Sequence, residues 1–217
     1  MPLAVTGQNR RGLFLRSTKK DGFWATAETY QCKNVESSSV IDESYYWKVE
    51  LLRQSAALKA RTAQKRWTDA SSARCEQTIM LGLFSVRKLI ESRKLTDKVA
   101  KQSVQIRCYP PTGKVVTLLN RHKIDELFDL DKPKDRFVKL SFLCNQVIHS
   151  YVFTLVFHEG GPFAAILVAS DYERSHALYE IPASRIIEVF ELVGNDHVTE
   201  ERYVADPAKG DYSRWAE

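Results

Sequence analysis

The 217-residue chain has no segment approaching the ~18–20 uninterrupted apolar residues that a membrane-spanning helix requires. Its longest apolar stretches, near residues 151–157 and 162–169, are the size of strands. The N-terminal MPLAVTGQNRRGLFLRSTKK lacks a signal-peptide core, because Arg10, Arg11 and Arg16 interrupt its apolar residues. Cysteine is sparse: Cys32, Cys75, Cys108 and Cys144 lie tens of residues apart and form no CxxC pair. That spacing excludes a zinc ribbon and a thioredoxin motif, and without a secretion signal reduced thiols are expected. P-loop, GxGxxG, HExxH and GxSxG motifs are all missing, so no cofactor and no metal is implied. Internal repeats and low-complexity tracts are also missing. The expectation is a soluble, cytoplasmic protein without membrane association.

What is present suits a globular chain. Hydrophobic residues make up 44% and charged residues 27%, which excludes disorder throughout, collagen and a disulfide-stapled miniprotein. The length suits one or two domains and is enough to bury a core. The mild net charge of +5 conceals a division. Residues 1–150 carry 27 basic and 15 acidic side chains, a net +12, whereas residues 151–217 carry 5 and 12, a net −7.

Residues 1–41 show no sustained period and read as a partly disordered extension, with room for a short strand over 22–30. Asp42 or Ser44 can cap a helix over 45–67, in which Tyr45, Val49, Leu52, Ala56, Ala60, Ala63 and Trp67 recur every three or four residues. Ser71-Ser72 begins a second helix over 73–93, with Cys75, Ile79, Gly82, Leu83, Val86, Leu89 and Ile90 as its stripe. A short polar loop makes the two an antiparallel hairpin. Val104, Ile106 and Cys108 then alternate with polar residues, and Pro110–Gly113 turns the chain into 114–119, a small β-hairpin. Asn120 can cap a short helix ending before Pro133, and a further helix is expected over 135–150, its face formed by Phe137, Leu140, Leu143, Cys144, Val147, Ile148 and Tyr151. Strands follow at 151–157, 163–169 and 177–181, the first two joined through Gly160-Gly161. Ile186, Val189, Phe190 and Val193 favour a helix over 184–193, and the polar, acidic remainder is expected to lack fixed structure.

Chemistry concentrates in LCNQVIHS at 143–150. On a helix Ser141, Asn145 and His149 stack on one flank, where the histidine can exchange a proton near neutral pH and the asparagine can orient it or bind a phosphate. Equally, the pair can satisfy itself in a buried polar network. Arg53, Lys59, Arg61, Lys65 and Arg66 crowd the first helix, and Arg87, Lys88, Arg93 and Lys94 the second. They can neutralise phosphates while Trp67 stacks on a base. The competing reading is an ordinary solvated helix surface, with Trp67 in the core. Asp125, Glu126, Asp129, Asp131 and Asp135 lack EF-hand spacing, and the HEGG segment at 158–161 reads as a turn.

Two helices, then a later helix ending in a polar-x-x-x-His signature, resemble the HEPN superfamily (higher eukaryotes and prokaryotes nucleotide-binding domains) over residues 42–151. Its catalytic members are metal-independent ribonucleases of toxin–antitoxin, phage-defence and other conflict systems. Their motif is an arginine, four to six residues, then a histidine, frequently Arg-Asn-x-x-x-His. Asn145 and His149 occupy the Asn and His positions, and Cys144 stands in that of the arginine. A thiol cannot stabilise a phosphorane-like transition state as a cation does. The resemblance therefore implies either that Arg121, Arg136 or another base supplies the charge, or that the domain does not cleave. A Cys144–His149 nucleophilic pair is disfavoured, since the two would point ~140° apart around a helix.

The expected fold is α+β: an antiparallel helical bundle over 42–150 with a small β-hairpin insertion near 103–119, an antiparallel β-meander over 151–194 packed on it, and an acidic flexible tail over 195–217. The resemblance implies a non-catalytic or weakly active HEPN-like protein that binds RNA or a partner in a bacterial stress or defence setting. Asn145 and His149 are the catalytic candidates, and Arg53, Arg61, Lys65, Arg87 and Lys88 the nucleic-acid contacts. The alternative is a protein-interaction or oligomerisation module with no enzymatic role, a protein partner or a second copy engaging the acidic tail or an edge strand. A small-molecule sensor with a pocket between bundle and sheet forms a third class.

Overall fold

The computed structural model describes residues 41–206 and 211–217. The strand expected over 22–30 lies outside them. Helix α1 spans Tyr45–Arg61, and its buried positions are Lys48, Leu51, Ser55 and Leu58. The stripe expected from Tyr45, Ala56 and Ala60 is instead solvent-facing. Two polar residues occupy core-facing positions, so the apolar periodicity of this helix points to the wrong face. The helix also ends six residues before Trp67. Residues 62–68 form a loop, and Trp67 packs on Phe157 with ring centroids 4.7 Å apart while its Nε1 donates to Gly161 O at 2.7 Å. Gly161 adopts φ +108°, and a Cβ there would lie 2.1 Å from Lys65 O.

Helix α2 runs from Asp69 to Glu91 and buries Cys75, Ile79, Gly82, Leu83, Val86 and Leu89, six of the seven residues of the expected stripe. Its cap is Thr68, upstream of the expected serines. The Thr68 hydroxyl accepts from Ser71 N, and Ser71 Oγ accepts from Thr68 N, a reciprocal box that satisfies amides the helix itself cannot. A one-turn helix α3, Asp97–Ala100, follows.

The central segment departs furthest from expectation. Strand β1, Ser103–Tyr109, does not pair with residues 114–119; its neighbours are β2, Lys134–Lys139, and β5, Leu178–Pro182. The helix expected over 135–150 is therefore a strand followed by the shorter helix α5, Leu140–Ile148. KDRFVK gives little warning of this, because Val138 alone is buried and long-range pairing with β1 decides its conformation. Strands β3, Ser150–Phe157, and β4, Phe163–Ser170, complete a five-stranded antiparallel sheet in the order β2-β1-β5-β4-β3. The expected bundle with its hairpin insertion is corrected to a single sheet to which both halves of the chain contribute. Residues 39–217 accordingly cluster as one compact unit.

One sheet face meets the helices through Val104, Ile106, Val138, Ile166, Val168 and Ile181. Helix α5 packs on β4, while helix α6, Ala183–Gly194, lies on β4 and β5. Helices α1 and α2 pack mainly on α6 and α5, outside that layer. The other face is partly covered by residues 110–128, which include the single-turn helix α4, Ile124–Leu127. Val116, Leu127 and Phe128 there form a second core with Tyr109, Val152, Ala169 and Leu178. Residues 195–217, expected to lack structure, contain strands β6, Glu201–Asp206, and β7, Asp211–Ala216, paired as an antiparallel ribbon.

At Gly82, α2 meets α6 directly: a Cβ there would lie 2.1 Å from Phe190 Cζ, in a fully buried ring. Helix propensity alone favours Gly82→Ala by about 1 kcal/mol, but overpacking costs about 1–3 kcal/mol and the ring has nowhere to move. Urea denaturation should show Gly82→Ala less stable than wild type, with partial recovery on adding Phe190→Leu. Equal or greater stability of the single variant would contradict this packing.

Candidate functional site

The residues singled out from the sequence do not converge. His149 is the exposed C-terminal cap of α5, and its amide donates to Asn145 O at 3.1 Å. No hydrogen bond joins the Asn145 and His149 side chains. Cys144 is fully buried, and burial pushes its thiol up to about 12. Arg136, on β2, donates to Tyr179 Oη at 2.9 Å and stacks over Phe142. Arg121 donates to Tyr151 O at 3.3 Å. Neither arginine makes a hydrogen bond to Asn145 or His149.

The basic candidates are similarly dispersed. Arg53 pairs with Glu50 at 3.5 Å. Arg61 bonds to Gln64 and stacks over Trp67. Lys65, beyond the end of α1, is exposed. Arg87 and Lys88 both bind Glu91, at 2.7 and 2.8 Å, and hold its carboxyl below the ordinary range, Lys88 more strongly. Among the described residues, no group of three or more His, Cys, Asp or Glu side chains is placed to hold a metal.

Convergence occurs elsewhere. Asp196, just past the end of α6, is 8% exposed, and both its carboxylate oxygens are used. Oδ2 accepts from Thr96 N and Oδ1 from Thr96 Oγ1, each at 2.8 Å. Its backbone oxygen accepts from Lys48 Nζ at 2.6 Å. Three segments far apart in sequence thus meet at one residue: the start of α1, the connection from α2 to α3, and the end of α6.

Beside this junction α3, α6 and β7 enclose a groove of about 840 Å³. Val99, Leu192 and Trp215 give it apolar surface, and Leu192 and Trp215 are 38% and 41% exposed. Asp97, Glu188, Glu191, Asp196 and Glu217 supply five carboxylates against one cation, Lys98, Asp196 being committed to Thr96. Bases outside the groove reach over its rim: Lys101 to Asp97 at 2.7 Å, Arg185 to Glu188 at 2.6 Å, and Lys59 to Glu191. Lys59 and Ser55 hold the Glu191 carboxyl below its usual range, Lys59 more strongly. These solvent-exposed pairs are worth about 0–1 kcal/mol each, so another cation can replace them at little cost.

No family model, curated protein or solved structure matches this chain. The groove escaped sequence reasoning because it joins a loop, the outer face of α6 and a segment expected to be unstructured. Only the aromatic Trp215 within an acidic tail hinted at it.

Asp196→Ala removes both bonds to Thr96 while leaving the carbonyl for Lys48. Hydrogen bonds to charged groups contribute about 1.5–3 kcal/mol, and a loss of that order is expected in urea denaturation. A double-mutant cycle with Thr96→Val should show positive coupling, whereas strict additivity would mean the junction carries no shared energy.

Proposed function

We propose that this chain is a non-enzymatic interaction module that holds a basic segment of a partner protein in the groove between α3, α6 and β7. The observation that carries the proposal is the combination of an exposed tryptophan and leucine with the four carboxylates of Asp97, Glu188, Glu191 and Glu217, beside the committed Asp196. A lysine- or arginine-bearing segment can lay its aliphatic stems on Trp215 and Leu192 while its charges reach the rim. This reading agrees with the interaction alternative drawn from the sequence and gives the acidic C-terminal region a role. RNA, the other sequence-based ligand, would instead require Arg53, Arg87 and Lys88 to release the acids they now pair with, Glu50 and Glu91, and to act with Arg61 and Lys65.

A fluorescein-labelled nonapeptide of alternating lysine and leucine, titrated with the full chain, tests the proposal. Binding should weaken as salt rises. Trp215→Ala should reduce affinity about tenfold or more, the effect of losing an aromatic anchor, and Glu188→Lys should reduce it further. Absence of binding, or unchanged affinity in Trp215→Ala, would sink the groove. Salt-dependent tRNA binding that is lost in Arg87→Ala/Lys88→Ala, with no peptide binding, would favour RNA instead.

A further inference from the structure

On the other side of the Lys48–Asp196 junction, the N-terminal turn of α1 opens into a separate cavity of about 370 Å³. Ser44, Tyr45 and Lys48 line it from α1, Lys94 from the end of α2, and His197 and Val198 from the chain after α6. We propose that this cavity binds the phosphate group of a small organic phosphomonoester.

Lys48 provides the first argument. It is 5% exposed, and its ammonium makes a single hydrogen bond, to the Asp196 carbonyl. An ammonium has three donors, and among the described residues no carboxylate lies within ion-pair distance of this one. A buried cation left so incompletely paired is costly. Its position near the start of α1 adds to the cost, because the helix dipole there favours negative charge. Burial accordingly pulls its pKa down, and neighbouring Lys94 pulls in the same direction against Asp196 and Glu43. An anion in the cavity would relieve all of these penalties together.

The remaining groups agree. The Lys94 ammonium makes no hydrogen bond or ion pair among the described residues, its backbone amide alone donating to Leu89 O at 2.9 Å. Ser44 caps α1 without a side-chain bond, and Glu43 satisfies the Tyr45 amide at 2.8 Å, so the amides of Tyr46 and Trp47 keep no partner. Two carboxylates also line the cavity, Glu43 and Glu201, and both are already engaged. Glu43 accepts from Tyr45 N, and Glu201 accepts from Arg214 at 2.6 Å and from Tyr203 at 2.7 Å. The unfilled capacity is therefore for an acceptor. Two ammonium groups at the start of a helix match a phosphate dianion better than a monoanionic carboxylate. The volume lies within the range of about 300–1,000 Å³ typical of small-molecule sites, and Tyr45 and Val198 offer surface to an organic portion.

Titration with phenyl phosphate, inorganic phosphate, acetate and sodium chloride at matched ionic strength tests this, followed by calorimetry and by the amide resonances of Tyr46 and Trp47. Phenyl phosphate should bind about tenfold or more tightly than inorganic phosphate and shift both amides, and acetate should bind weakly. Lys94→Ala, which removes no bond of the fold, should lower the affinity for phenyl phosphate about tenfold or more. Lys48→Met should do the same, and because Lys48 also ties α1 to α6, Lys94→Ala stands as the decisive variant. No binding beyond that of chloride, or undiminished binding in Lys94→Ala, overturns the site. Equal affinity for phenyl and inorganic phosphate overturns the organic ligand. Trp215→Ala should leave phosphate binding unchanged, so failure of the peptide groove and failure of this cavity are separately visible.

Discussion

The arrangement depends on one polar junction, in which Lys48 reaches the Asp196 carbonyl while the Asp196 carboxylate grips Thr96. Lys48 and Asp196 are 148 residues apart, so the contact closes nearly the whole described chain. It also explains why α1 carries polar residues on its core-facing side. Lys48 supplies a donor to the Asp196 carbonyl just beyond the end of α6, and Ser55 donates to Glu191 at 3.0 Å on the same seam. An apolar seam would pack α1 on α6 without fixing its position along the axis. Directional bonds fix that position, and with it the mouths of the two recesses on either side.

Charge takes on a different meaning once the sheet is known. The basic and acidic halves of the sequence do not fold as separate bodies, because β1 of the first, with β2 on its other edge, pairs with β5 of the second. Opposite charges consequently meet across that join. Arg107 lies opposite Glu180 on the sheet at 3.3 Å, and Lys59 meets Glu191 between α1 and α6. Each exposed pair contributes little to stability. Their value is in recognition within the chain, since mismatched pairings of the two halves would place like charges together. A net charge division is therefore compatible with a single fold, and here it follows from one.

Legibility followed the range of the interactions. Helix α2 could be read because six of its seven stripe residues face one core, Gly82 among them to admit Phe190, although Met80, Leu81 and Phe84 off the stripe are exposed. Strands β3 to β5 could be read from local alternation and a glycine turn. Helix α6 was legible from Ile186, Val189, Phe190 and Val193, all of which are buried. Misreadings arose where distant partners decide the outcome. KDRFVK is a strand because β1 lies beside it, and α1 turns a different face inward because Lys48 and Ser55 have partners on and beyond α6. The groove and the cavity share that origin. Each is assembled from segments that the sequence separates by about half its length, and local periodicity carries no information about such meetings.

The ribbon formed by β6 and β7 shows how the two recesses are coupled. Arg214, with its side chain 6% exposed, donates to Leu95 O at 3.3 Å and to Glu201 at 2.6 Å, anchoring the ribbon to the turn that carries Lys94 and Thr96. Trp215, the next residue, lines the groove, while His197 and Glu201, on the approach to β6 and at its start, line the cavity. Glu201 and the turn that carries Lys94 thus share one anchor, the Arg214 side chain, with the segment bearing Trp215, whose own side chain takes no part in it. Communication between two sites needs a shared element whose placement both ligands bias. Arg214 and its two partners meet that structural requirement, with Thr96 and Asp196 as the fixed point against which the ribbon is held.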